Sequence, residues 1–311
     1  MRKTCLDQVY ELAKKDERVF FVGSDLGVNT LQKFKDEIPG RFLMEGISEQ
    51  HVVGLASGLA LEGKIVYVNT IGTFITRRCF EQVVVDVCLH NLNVRLIGNG
   101  GGLVYAPLGP THLAIEDISI MRAVPNMTVI APADADEMRR LMPQTVDYAG
   151  PIYIRLAKGY DPIVTTDAVP FRIGRALPMR DGSDALLVST GITLRVALEA
   201  AQELAEQGLE CAVLHMPTIK PFDSAALLER AAVTPVIVTI EEHTTIGGLG
   251  SAVAEVIAEA GFQSGKRFRR IGISDVFAKH YGTQAALMEY YGISTPRVVA
   301  TVKDLHRSRW N

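Results

Sequence analysis

The chain has few cysteines: four, Cys5, Cys79, Cys88 and Cys211, among 311 residues. None stands in a CxxC spacing or in a Cys/His cluster, which disfavours a disulfide framework and a structural zinc site and leaves buried, reduced thiols as the simplest account. Long apolar runs are missing too. The longest cover about six to ten residues, well short of the ~20 needed to cross a bilayer. The N-terminus, MRKTCLDQVYELAKK, moves straight into an amphipathic helical pattern without a cleavable signal. The expectation is a cytoplasmic protein with no membrane role. Charge of one sign is scarce: the net charge is -3 with 22% charged residues, and no basic stripe argues for nucleic acid. There is no GxxxxGKS/T phosphate loop, no serine nucleophile elbow and no HExxH.

What is present is alternation. RVFFVGS (18–24), KIVYVNT (64–70), VRLIG (94–98), MTVIAP (127–132) and IYIRL (152–156) read as strands, with helical patterns at 4–16, 49–62, 78–91, 114–123 and 134–147. Strands alternating with helices imply a parallel sheet covered on both faces. GYDPIVTTDAVPF (159–171) lacks periodicity and reads as a linker. A second set follows: strands DALLVST (184–190), LECAVLH (209–215), TPVIVTI (234–240) and FRRIGI (268–273), with helices near 193–207, 224–232, 247–260 and 283–291. The expected fold class is α/β, two doubly wound domains at 1–165 and 175–311.

Sites in open parallel sheets gather beyond the carboxyl ends of strands. The segments there are GSDLGVN (23–29), GISEQ (46–50), NTIGTFITRRCFEQ (69–82) and GNGGGLVYAPLGPTHLAIED (98–117). Glu49 heads a helix built on Gly54, Ala56, Ser57, Gly58 and Ala60, a segment with little polar face that must be packed on most sides. Its carboxylate is therefore expected where solvent is scarce, although the helix dipole alone favours a first-turn Glu. GNGGG does not open a helix, so it reads as a loop letting substrate approach the backbone rather than as a nucleotide site. His112 in GPTH stands between a site role and a structural one. His243 in EEHTTIGGLG stands between helix-entry packing and a site role, and Phe74 and Phe80 taken alone are ordinary core aromatics.

The ordered set RKTC, GSDL, GISEQH, TFITRRCFEQ, GPTH, APAD and EEHTTIGGLGSAV resembles the C-terminal half of transketolases and 1-deoxyxylulose-phosphate synthases, from Arg2 to about Leu305. It also resembles the stand-alone C-terminal subunits of split transketolases. The resemblance implies a thiamine-diphosphate pyrimidine-binding domain followed by a transketolase C-terminal domain. In that family a separate domain holds Mg²⁺ and the diphosphate through a GDG motif, which is missing here; RDGSD (180–184) is the nearest string. The resemblance therefore implies no metal ligand in this chain, an N-terminal partner subunit carrying GDG, and a heterotetramer with sites at subunit interfaces.

By the same resemblance Glu49 hydrogen-bonds N1′ of the aminopyrimidine, Phe74 stacks on that ring, Phe80 flanks it, and Asp25 and Leu26 lie beside the cofactor. Arg77 matches a basic residue of the deoxyxylulose-phosphate synthases and is counted with the cofactor-binding set. His112 would face substrate and assist proton transfer, whereas His243 stays outside the catalytic set. The substrate anchors fall at Arg2, Asn29, Gly100 and Lys158, and Leu108 replaces an acceptor-reading Asp. The implied activity is transfer of a two-carbon ketol unit from a ketose, phosphorylated or not, to an aldehyde, with small sugar or keto substrates. The alternatives are a decarboxylative subunit, like the synthases or a 2-oxo acid dehydrogenase beta chain, and a non-catalytic assembly subunit.

Overall fold

A computed structural model describes residues 1–24, 30–157, 159, 161–167 and 169–307. The strands are β1 (Val19–Gly23), β2 (Phe42–Met44), β3 (Ile65–Ile71), β4 (Val94–Asn99), β5 (Thr128–Ile130), β6 (Ile152–Leu156), β7 (Leu177–Arg180), β8 (Ala185–Ser189), β9 (Cys211–His215), β10 (Thr218–Lys220), β11 (Val236–Thr244) and β12 (Arg267–Ile273). They form a seven-stranded sheet, β10-β5-β6-β4-β3-β1-β2, and a five-stranded sheet, β12-β11-β8-β9-β7. The central strands β4, β6, β8 and β9 are buried at every residue, as strands covered on both faces by helices must be.

Both α/β units are present, with sheets that are mostly parallel. The exceptions are β10, antiparallel to β5, and β7, antiparallel to β9. These strands and β2 span three or four residues, too few for periodicity to register. β10 comes from the second half of the sequence yet edges the first sheet. One apolar cluster, including Val68, Leu96, Ile118, Met121, Leu186 and Leu214, runs through both halves.

Three local expectations change. The helix expected at 78–91 is wound as π-helix over Phe74–Arg78 and Val83–Cys88, joined through Phe80–Gln82. The helix expected at 134–147 divides into Ala135–Leu141 and Gln144–Asp147 at Pro143, which has no N–H to donate. The linker is tied down: Asp134 accepts the Val164 and Thr165 N–H groups at 2.8 and 2.7 Å and the Thr165 hydroxyl at 2.8 Å. All four cysteines are buried and unbridged, and burial pushes each thiol up to about 12, so they are unreactive packing groups. Among the described residues no helix is long and apolar enough to cross a membrane.

Candidate functional site

Glu49 opens the helix Glu49–Leu61 and is 1% exposed. Its Oε1 accepts the Ser24 hydroxyl at 3.2 Å and the Thr70 hydroxyl at 3.5 Å, and those two hydroxyls lie 3.1 Å apart. Ser24 immediately follows β1 and Thr70 belongs to the neighbouring parallel β3, so the carboxylate sits just beyond the carboxyl ends of two paired strands. A buried carboxylate needs more than two hydroxyls. Arg78 supplies the rest, donating from Nη1 to Glu49 Oε2 at 2.7 Å.

The same guanidinium lies 4.3 Å from the centroid of the Phe74 ring. Phe74 and Arg78 are the first and last residues of one π-helical segment, a winding common at functional sites. Phe74 also meets His112 edge-on, with ring centroids 5.2 Å apart. His112 is half-buried; its Nδ1 is 2.9 Å from the Thr111 hydroxyl, and its ring is 6.5 Å from that of Tyr105. Glu49, Phe74 and His112 are thus brought to one place, with Arg78 between the carboxylate and the ring. Arg78 escaped the sequence reading because its signal, a second Arg in TFITRRC, has no meaning until the π-winding is known.

Arg77 does a different job. It pairs with Glu116 and donates to the Leu113 carbonyl at 2.9 Å, tying the π-helical segment to the stretch after His112. Phe80 is half-buried and packs on the apolar cluster that includes Val52, Ile75 and Val83. Leu108 ends the short turn Ala106–Leu108 and is 50% exposed. Gly100 has φ +72°, and a β-carbon there would overlap the Tyr105 ring. Arg2 opens the first helix, Arg2–Lys15, half-buried. Asp25, Leu26, Asn29 and Lys158 lie outside the described residues.

The small residues behind Glu49 need a correction. Ala56, Ser57 and Ala60 are buried, but a β-carbon on Gly54 or Gly58 would meet nothing within 4 Å. These two glycines therefore face open space in this chain, and the helix is not packed on most sides.

A second polar group joins the halves. Arg155 donates to Asp117 at 2.9 Å and to the Ala114 and Glu242 carbonyls at 3.1 and 2.7 Å. The Glu242 carboxylate accepts the Leu103 N–H and the Gln284 amide, both at 2.8 Å, and burial pushes it up to about 7. His243 sits with Nδ1 2.7 Å from the Thr244 carbonyl and Nε2 3.3 Å from the Ser119 N–H, so both ring nitrogens have a backbone partner. Glu241 accepts the Leu249 and Gly250 N–H groups that open the helix Leu249–Glu259. His243 is fully buried, next to Glu241 at the entry of that helix. Among the described residues no group of three or more His, Cys, Asp or Glu could hold a metal ion. A cavity of about 420 Å³ bordered by Asp161, Arg195, Glu199 and Met288 shares no residue with the Glu49 group.

A buried carboxylate at the carboxyl edge of a parallel sheet, with an aromatic ring and a histidine brought near it, in a chain of two mostly parallel α/β units, defines the class: a two-domain α/β protein whose candidate site lies beyond the strand ends of its first sheet. Known domain families sharpen this. The transketolase pyrimidine binding domain matches residues 1–160 and the transketolase C-terminal domain matches residues 174–298. The chain belongs to the transketolase family, whose members here are transferases, including split subunits. It is 36% identical to the 6-deoxy-6-sulfo-D-fructose transketolase subunit SqwH of Clostridium sp. strain MSTE9, over 98% of this chain and 94% of that one. It is also 36% identical to an apulose-4-phosphate transketolase subunit of Phocaeicola vulgatus, over 96% and 95% of the two chains. A solved split-gene transketolase, described as an inactive beta4 tetramer, superposes with a TM-score of 0.90 at 36% identity, covering 98% of this chain and 97% of that one.

Proposed function

We propose that this chain is the C-terminal subunit of a thiamine-diphosphate-dependent transketolase-like enzyme that moves a two-carbon ketol unit from a ketose to an aldehyde acceptor. The observation that carries this reading is the Glu49–Phe74 pair: a carboxylate 1% exposed, reached from one side by a planar cationic N–H donor that also lies on an aromatic ring. That donor is the Arg78 guanidinium: its central carbon lies over the Phe74 ring and its Nη1 donates to the carboxylate, the two contacts that an aminopyrimidine protonated at N1′ would need. The residues present therefore fit the group.

Thiamine diphosphate, when bound, supplies the carbanion chemistry and the electron sink for the two-carbon fragment. Glu49 holds and shares the proton at N1′, in a pocket dry enough for a short carboxylate contact to set the ring's protonation state. Phe74 would hold the plane of the ring and Phe80 would support that wall from the apolar cluster, and by the family resemblance Asp25 and Leu26 would join the cofactor-binding set. His112, held against Phe74, faces substrate and moves protons at its hydroxyl or carbonyl. Arg77 orients the His112 segment through Leu113 and Glu116. By the same resemblance Arg2, Asn29, Gly100, Leu108 and Lys158 would serve the substrate end, where the sequence keeps two cations for an anionic group but no bidentate Arg fork at position 158.

Mg²⁺ and the diphosphate belong to an N-terminal partner subunit carrying GDG, in a heterotetramer working on small sugar or keto substrates in the cytoplasm. The domains fall at 1–165 and 175–311. The test mixes the chain with that partner, Mg²⁺ and thiamine diphosphate, then follows ketose phosphate and aldehyde. Transfer without CO₂ release is expected, with no activity from either subunit alone. CO₂ from pyruvate without ketol transfer would replace this reading by a decarboxylative one.

A further inference from the structure

We propose that Arg78 is a further residue of the cofactor site, occupying the aminopyrimidine's place until the cofactor displaces it. The inference rests on the cofactor reading above and adds a residue to it. Three observations carry it. The guanidinium is bonded to Glu49 Oε2 at 2.7 Å, so it occupies the carboxylate assigned above to the cofactor's ring. Its central carbon lies 4.3 Å from the centroid of Phe74, the ring assigned above to the aminopyrimidine. Its side chain is 42% exposed against 1% for Glu49, so it has an open route outward while the carboxylate has none.

The physical logic is compensation. A buried carboxylate left with only the Ser24 and Thr70 hydroxyls is under-satisfied, and a guanidinium is the side chain best suited to neutralise it while stacking on an aromatic ring. The cofactor cannot share that position, so Arg78 must swing out on loading and Glu49 exchanges one planar N–H donor for another. Arg78 thereby stabilises the unloaded subunit and competes with loading, reducing the apparent cofactor affinity by the fraction of subunits in which it has vacated the ring. Arg77 is not available for this part, being held by Glu116 and the Leu113 carbonyl.

The experiment measures thiamine diphosphate association, with Mg²⁺, in the complex with the N-terminal subunit, comparing wild type, Arg78→Ala and Arg78→Lys by stopped-flow fluorescence and calorimetry. Arg78→Ala is expected to bind about tenfold faster and tighter than wild type, with Arg78→Lys between them. Thermal denaturation of the unloaded chain gives a second readout: Arg78→Ala lowers the midpoint, and a smaller loss is expected in a Glu49→Gln background. Weaker or unchanged cofactor binding by Arg78→Ala overturns the proposal, because a residue that contacts the bound cofactor would weaken it and a bystander would leave it alone. An equal midpoint loss in both backgrounds also overturns it. Should Arg78→Ala not fold, Arg78→Lys decides by the same sign. If wild type itself binds no thiamine diphosphate, the cofactor reading fails and takes this inference with it.

Discussion

The Glu242 carboxylate, at the end of the second sheet, accepts the Leu103 N–H from the first domain's glycine loop at 2.8 Å. A β-carbon on Gly102 would fall 2.5 Å from Glu242 Cδ, and Gly102 has φ +64°, so the loop is both bonded to this carboxylate and shaped around it. Arg155 and Asp117 extend the contact to Ala114, two residues after His112.

Burial raises the Glu242 carboxyl from 4.5 in the unfolded chain to about 7. The folded state then binds more protons than the unfolded state between those values, so this group makes the protein less stable as pH rises from about 4.5 to about 7, and its effect is constant above that. The full effect is roughly 3 kcal/mol at ~1.4 kcal/mol per pH unit. Glu242→Gln keeps an acceptor for Leu103 and should remove this decline. Denaturant melts of wild type and variant at pH 5 and pH 8 check it: the variant gains on wild type at the higher pH. A difference that does not change with pH would mean that Glu242 does not titrate in this window.

Glu49→Gln keeps the shape and the hydrogen bond to Arg78 but cannot share a proton. Turnover of the reconstituted complex should fall by about 10²- to 10⁴-fold, the usual worth of acid–base assistance, with the fold intact by circular dichroism. Near-wild-type turnover would remove Glu49 from the chemistry.

Phe74→Leu keeps apolar bulk and loses the ring face. Thiamine diphosphate affinity of the complex should drop between about twofold and tenfold, the ~0.5–1.5 kcal/mol of an aromatic pair beyond its buried area. Calorimetry reads the change, and unaltered affinity would place the cofactor ring elsewhere.

Gly100→Ala forces a side chain into a left-handed backbone and into the Tyr105 ring. A loss of roughly 2–3 kcal/mol is expected from the strained φ and the overlap together. Combining it with Tyr105→Ala relieves only the overlap, so the double variant should lose less than the two single losses added. Strict additivity in urea melts would show that the two positions do not touch.

The alternation of β-branched runs with amphipathic segments fixed two α/β units, because a strand covered on both faces has to be apolar throughout, and that is visible in five or six residues. The helix start at Glu49 was legible from its local pattern, and the carboxylate is buried as expected, although the helix behind it is not packed on most sides. The three- and four-residue strands β2, β7 and β10 were not, since so few side chains show no period and edge pairing supplies their stability from another part of the chain.

The site shows the same division. Composition around position 49 led to the expectation of a buried carboxylate through close packing of its helix; the carboxylate is buried, but its partners rather than that packing surround it. Only the tertiary structure brings Ser24, Thr70 and Arg78 to Glu49, across separations of 25, 21 and 29 residues. It also decided that Gly54 and Gly58 face outward, that Tyr105 fills the room beside Gly100, and that His243 is buried with both ring nitrogens on backbone partners. Local propensity governs which segment becomes helix or strand. Which side chains meet is settled by packing between strands far apart in sequence, and hydrogen bonding of buried charge selects among the partners packing brings near.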